Sequence, residues 1–381
     1  MSIESDLRKD GITVIGPLDT LSINTIARDT ADRLCKAFPE QNFIFQNLFI
    51  ALSRIPMYIA DIPKGFAEAT YFYKNSSMYF RQGLSIDEME KFAVHEFIHY
   101  LQEIKDKKGR LVRLGLCDFD DIKVCGMGLN EGAVQLMASK AIGAQEEIVK
   151  YYGISLPTNS PSYYPLLCNL VNQMAYVTGK DALYDSTLYG SDTFKRMFAE
   201  LCGLDNFLKV QSNLDKILEI EEKAIKLDNE LMSDKCEGMK AQKVAKKIEK
   251  CKGKIKELFF QTQNLIYTSY FNTQFAKITT TADIDEYRVR LYNYKNYIGI
   301  SDSYSDFNDF YINKMMDLDN KYENIMNNTS LTVVSTSRIA RFFRRIKEIL
   351  SASVELKKWN KGDGAFVSSY PQSLLILLIN I

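Results

Sequence analysis

The stretch Lys91-Phe-Ala-Val-His95-Glu96-Phe-Ile-His99-Tyr-Leu-Gln102 holds the only two histidines of the 381-residue chain. On a helix, residues four apart lie one turn apart on a common face, so two imidazoles placed there can hold one metal ion. Glu96 stands next to the first histidine and can reach an attacking water without being a ligand itself. In a shuffled chain of this composition the same coincidence arises on the order of once in several thousand trials. Met89, Phe92, Ala93, Phe97, Ile98 and Leu101 recur at helical spacing around the motif, and Ser85 and Glu88 form an S-x-x-E capping box upstream. The spacing predicts a helix that starts near Ser85. Ionisable groups inside such an apolar run cost free energy unless they are partnered. A pair of core histidines bonded to backbone would meet that cost but leaves Glu96 without a role.

A catalytic tetrahedral site needs a third protein ligand and keeps one position open. With no third histidine, that ligand is Asp, Glu or Cys. Glu131, in Gly126-Met-Gly-Leu-Asn-Glu131-Gly-Ala-Val-Gln135, is the best candidate. Asn130 reads as an N-cap, Leu129 and Val134 as a hydrophobic staple, and Glu131 as a first-turn residue of a second helix. Cys117 and Cys125 bracket the preceding loop, as a ligand or redox pair or as ordinary thiols. The seven cysteines are odd in number and form no C-x-x-C. Reduced thiols in a cytoplasmic protein are the simplest reading.

An H-E-x-x-H motif followed by a helix carrying Leu129-Asn130-Glu131-Gly132 resembles the gluzincin branch of the zinc metallopeptidases, over roughly residues 68–142. The resemblance implies a zincin-like catalytic domain, zinc as cofactor, His95, His99 and Glu131 as ligands, and Glu96 as general base. It also implies a sheet whose edge strand holds an extended substrate by strand addition. Two departures are visible. The gap between His99 and Glu131 is longer than in the aminopeptidases, and no Gly-x-Met-x-Asn motif precedes the histidines. Thermolysin-like members place an Asp four residues after the ligand Glu to bond a histidine; Gln135 stands there in this chain.

The rest of the chain predicts an α+β catalytic domain over 1–203, a charged, coiled-coil-like helical hairpin over 204–280 and a helical C-terminal region over 281–381. Strands are expected at 12–16, 57–61, 68–73 and 78–81, and helices at 20–38, 163–178 and 192–202; the apolar run 43–53 fits either. The segment 105–125 is basic first and acidic later. Asp118, Asp120 and Asp121 match no EF-hand spacing, which favours a solvated loop over a calcium site. Val244, Ile248, Cys251, Ile255, Leu258, Thr262 and Leu265 alternate steps of four and three, a heptad seam, with reversal expected at 233–238. Segment 337–358 reads as a basic amphipathic helix, and 374–381 is apolar but too short to span a membrane. The charged N-terminal decapeptide shows no leader pattern. Formal net charge is zero, so no global pull toward nucleic acid or membrane follows.

These features point first to a cytoplasmic zinc peptidase acting on a peptide or protein. Tyr163 and Tyr164 are the candidate oxyanion donors, since no further imidazole exists. Two alternatives stand beside it: a zincin scaffold serving as a binding or regulatory module, and a protease specific for one partner that uses the helical regions, 204–277 above all, for contact or self-association.

Overall fold

The computed structural model describes residues 3–9, 11–63, 67–119, 124–233, 236–298 and 304–329. Two compact units are distinguished, Met1–Leu318 and Asp319–Ile381, and the elements that build the site belong to the first. Segments 337–358 and 374–381, and Asp120 and Asp121, lie outside the described residues.

In chain order the elements begin with α1 (Ile3–Lys9), β1 (Thr13–Pro17), α2 (Thr20–Ala37), α3 (Phe45–Ser53), β2 (Met57–Asp61), β3 (Ala69–Phe72), β4 (Ser77–Arg81) and α4 (Ile86–Leu101). Four short strands follow: β5 (Glu103–Lys105), β6 (Leu111–Leu114), β7 (Asp118–Phe119) and β8 (Val124–Cys125). Then come α5 (Met127–Ala141), β9 (Glu147–Tyr151), β10 (Ile154–Thr158), α6 (Pro165–Thr178), α7 (Lys180–Tyr189) and α8 (Thr193–Cys202). The chain continues as α9 (Leu204–Leu231), α10 (Gly238–Ala276), α11 (Thr281–Tyr297) and α12 (Tyr304–Thr329). This is a mixed α+β protein with small sheets.

The main sheet has the order β1-β2-β4-β3, with β2 and β4 parallel and the outer strands antiparallel to their neighbours. β3 is therefore an edge. Its register alternates: Arg81 N–H donates to Glu68 O at 2.8 Å, and Met78 N–H turns the other way to Pro56 O at 2.9 Å. By that alternation the backbone groups of Ala69 and Tyr71 point away from β4, along the open edge. α4 packs against this edge strand, and on α2 and α5.

The capping box is present as expected: Ser85 Oγ accepts from Glu88 N–H at 3.3 Å, and Glu88 Oε2 accepts from Ser85 N–H at 2.8 Å. The undecided run 43–53 becomes the helix α3. The stretch expected to be a solvated loop carries β5–β8 instead. Its Asp118 is engaged by the buried Lys195 at 2.5 Å, and Arg113 holds Asp192 at 2.5 Å, which ties the insert to α8. The β9–β10 hairpin and α7 were not anticipated. The hairpin turns tightly at Tyr152 (φ 48°) and Gly153 (φ 77°), so a tyrosine occupies a left-handed position that favours Asn or Gly.

The start of α5 departs from the reading of Asn130 as N-cap. The helix begins four residues earlier, at Met127, with Gly126 (φ 85°) before it. Asp215 of α9 supplies the capping carboxylate from across the fold: its two oxygens accept from Gly126 N–H and Gly128 N–H, each at 2.8 Å. Glu131 therefore lies in the second turn, and Leu129 and Val134 are core residues, not a staple. A Cβ on Gly128 would sit 2.4 Å from the Leu214 backbone, and one on Gly132 would sit 2.8 Å from Val171 Cγ2 and 3.1 Å from Leu167 O. Both glycines let α5 approach α9 and α6 to backbone distance, and every residue from Gly128 to Ser139 is buried.

α9 and α10 pack along each other, and Val244, Ile248, Cys251, Ile255, Leu258 and Thr262 of the heptad seam are all buried. One carboxylate breaks the apolar pattern. Glu221 of α9 is 3% exposed, and neither of its oxygens has a hydrogen-bond partner. Burial pushes its carboxyl up to about 8. The folded chain then keeps a proton that the unfolded chain releases, so stability is full below the usual glutamate pKa of about 4.5 and falls as pH rises toward 8. Glu221→Gln should abolish that slope, worth on the order of a few kcal/mol between pH 5 and 8. Urea unfolding of both proteins at a series of pH values measures it; parallel curves would remove the assignment.

Candidate metal centre

Helix periodicity brings His95 and His99 onto the face of α4 that looks at α5, and α5 presents Glu131 to both. The Nε2 atoms of the two histidines are 3.0 Å apart. Glu131 Oε2 lies 3.4 Å from His95 Nε2 and Oε1 lies 3.4 Å from His99 Nε2. The three ligand atoms fall within 4.8 Å of one another.

Each ring is oriented from behind by a glutamine. His95 Nδ1 is 2.8 Å from Gln135 Oε1, and His99 Nδ1 is 2.8 Å from Gln102 Oε1. An amide oxygen only accepts, so each Nδ1 carries a proton and each Nε2 is the nitrogen that faces Glu131. Gln135 bonds its histidine without charge. Its own Nε2–H donates to Ser139 Oγ at 3.3 Å. Gln102 is fully buried and paired with Asn130 through two amide hydrogen bonds of 3.0 Å. Asn130 Oδ1 also accepts from Leu116 N–H at 3.1 Å. The residue read as a helix cap is thus a brace for His99. Gly115 (φ 49°) closes the arrangement, since a Cβ there would lie 2.1 Å from Gln102 Nε2 and 2.4 Å from Asn130 Oδ1.

The electrostatics are compatible with a cation. Burial pushes the Glu131 carboxyl up, but the two imidazoles overcome this and hold it well below the usual carboxylate range. Burial pulls His99 down, and the charge of Glu131 outweighs it, raising the imidazole to about 9. Two imidazole nitrogens with fixed tautomers and one carboxylate suit a borderline divalent ion such as zinc, so the residues fit the group.

Glu96 is half-buried, and desolvation raises its carboxyl, opposed by the neighbouring histidines. Its Oε2 accepts the Tyr71 N–H at 2.6 Å, the outward-pointing amide of the edge strand β3. The two tyrosines part company. Tyr164 stands beside the centre, its ring centroid 6.3 Å from that of His95. It takes the left-handed conformation (φ 50°, ψ 42°) at the start of α6, ahead of Pro165. For an aromatic residue that costs roughly 1–2 kcal/mol. The turn is held by Ser160 Oγ–H to Tyr163 O at 2.5 Å and Cys168 N–H to Tyr164 O at 2.9 Å. Burial, with Glu131 and Glu96 adding, keeps the Tyr164 hydroxyl protonated. Tyr163 packs edge-on against Phe92 with centroids 5.9 Å apart, and the charges near it are Glu68 and Arg81. Cys117 and Cys125 are free thiols, and Cys117 Sγ rests 3.4 Å from Met127 Sδ.

The motif and Glu131 were legible in the sequence; Gln102, Asn130 as a brace, Gly115 and the Tyr71 amide were not. Gln102 had one available signal. It follows His99 by three, so it shares the face of that ligand at the helix end. No family model matches the chain, and neither a curated protein nor a solved structure does.

Replacing Gln102 by Leu keeps the volume but leaves His99 Nδ1–H and the Asn130 amide unpaired. Zinc affinity should fall about 10–100-fold, as when other partners of ligating histidines are removed. Competition against a chelating dye measures this; an unchanged affinity would show that Gln102 does not orient His99.

Proposed function

We propose that this chain is a zinc-dependent peptidase. The observation that carries the reading is the convergence of His95 Nε2, His99 Nε2 and the Glu131 carboxylate, with Glu96 on the same helix beside them. His95, His99 and Glu131 would hold the ion, which when bound polarises a scissile carbonyl and activates water.

The remaining work falls to the chain. Glu96 is raised by burial, which suits a group that takes a proton from the attacking water and passes it to the leaving amine. Tyr164 keeps its hydroxyl proton and can donate a hydrogen bond to the developing oxyanion. Tyr163, turned toward Phe92, is the weaker of the two for that role. The edge of β3 offers the backbone of Ala69 and the Tyr71 carbonyl to an extended peptide, beside the Tyr71 N–H that Glu96 takes. A soluble, cytoplasmic setting belongs to this proposal, and among the described residues no helix is long and apolar enough to cross a membrane. A second reading, a zincin scaffold that binds or cleaves a single partner, is favoured by the size of the helical part beyond the centre.

Glu131→Ala should lose most of the zinc that the wild type holds at about one equivalent, as read by metal analysis of the purified proteins. Glu96→Gln should keep the metal and lose hydrolysis of a peptide library by at least 10³-fold; retained turnover would remove Glu96 from the role of base. Tyr164→Phe should lower kcat about 10²-fold with little change in KM. Full metal occupancy with no turnover on any library would turn the reading to the binding module.

A further inference from the structure

The hairpin of α9 and α10 carries a charge pattern that the metal centre does not use. α10 opens with Lys240, Lys243, Lys246, Lys247, Lys250, Lys252, Lys254 and Lys256, against Glu249 and Glu257 alone. Three of these lysines have carboxylate partners, Lys240 on Glu230 at 3.1 Å, Lys252 on Glu249 at 2.8 Å and Lys254 on Glu257 at 2.9 Å, and Lys256 donates to Gly153 O at 3.3 Å. Lys243, Lys246, Lys247 and Lys250 are exposed and make no ion pair or hydrogen bond among the described residues.

These four share a face. At about 100° per residue they span an arc of roughly 100°, turned away from the buried seam of Val244, Ile248, Cys251 and Ile255. Met239 falls within the same arc and is 75% exposed; Met232, at the end of α9, is 84% exposed. Two long apolar side chains thus stand bare at the turn of the hairpin, at the head of a row of unpaired ammonium groups. The hairpin's length places that turn far from its base: 28 and 39 residues of helix extend about 40 and 60 Å.

We propose that this face docks on an anionic lipid surface, the lysines against headgroups and the two methionines in the interfacial layer. Charge complementarity and the bare methionines select this partner. A nucleic acid would call for arginine forks or aromatic platforms, and residues 204–277 contain no arginine and the stripe no aromatic ring. Lysine is a point charge without fixed geometry, which suits a diffuse sheet of anionic headgroups. Attachment by a few lysines and two methionines is reversible and salt-sensitive. The inference stands independently of the peptidase reading.

The test is co-sedimentation of the full chain with vesicles of phosphatidylcholine alone or with about a third phosphatidylserine. Binding is expected only to the anionic vesicles at 50 mM salt, and its loss at 500 mM. Near an anionic surface each lysine contributes on the order of five-fold. The variant with Lys243, Lys246, Lys247 and Lys250 all changed to Gln should therefore lose at least fifty-fold. Met232→Ser with Met239→Ser should lose several-fold and keep the salt dependence. Circular dichroism and zinc content should be unchanged in both, as the substituted residues are exposed. Equal binding to neutral vesicles, wild-type binding by the lysine variant, or capture by polyuridylate in place of vesicles would each overturn the proposal.

Discussion

The protein depends on carrying a carboxylate through its interior on α5. Every residue from Gly128 to Ser139 is buried, and Glu131 is among them. A charge there is tolerable only if opposite charge or a metal meets it at short range. The two imidazoles of α4 meet it, and the rest of the local architecture keeps them in place. Gly132 lets α6 come close behind Glu131, Gly128 does the same for α9, and Asp215 satisfies the orphan amides at the head of α5. The glutamines behind the histidines then fix which nitrogen faces inward. Remove the carboxylate and this helix has no reason to be polar; remove the close packing and the carboxylate would find water instead of histidine.

The sequence carried the parts of this that are local. His95, Glu96 and His99 share a helix, so spacing alone aligned them, and the Ser85–Glu88 box announced where that helix begins. The strands of the main sheet were legible from alternation and turn residues. What escaped was tertiary. Asn130 has the chemistry of a cap, and in sequence nothing distinguishes it from one. Its amide instead pairs with Gln102, 28 positions away. The true cap, Asp215, lies 89 and 87 positions from the amides it holds, beyond any window of periodicity. The β9–β10 hairpin was hidden because its turn uses Tyr152 where Asn or Gly is the usual signal.

β3 illustrates how one strand serves two partners. Its inner backbone groups close the sheet through β4, and its outer ones are left to the centre. Glu96 takes the Tyr71 amide, which blunts an otherwise bare edge against unwanted pairing. The same carboxylate is the one that the proposed hydrolysis would call upon. The edge is therefore guarded by a residue that must share its hydrogen-bonding capacity with anything laid along the strand.

Asp215 has a consequence for how such a protein can change over time. The helix bearing Glu131 is finished by a side chain from the first long helix of the charged hairpin. A shift in composition along a chain need not coincide with a seam in its packing. The hairpin could lengthen, shorten or acquire new surface charge at its far turn with little effect on the ligands. Its stretch from Leu204 to Asp215 is bound to the centre and cannot be traded for another module without refitting α5.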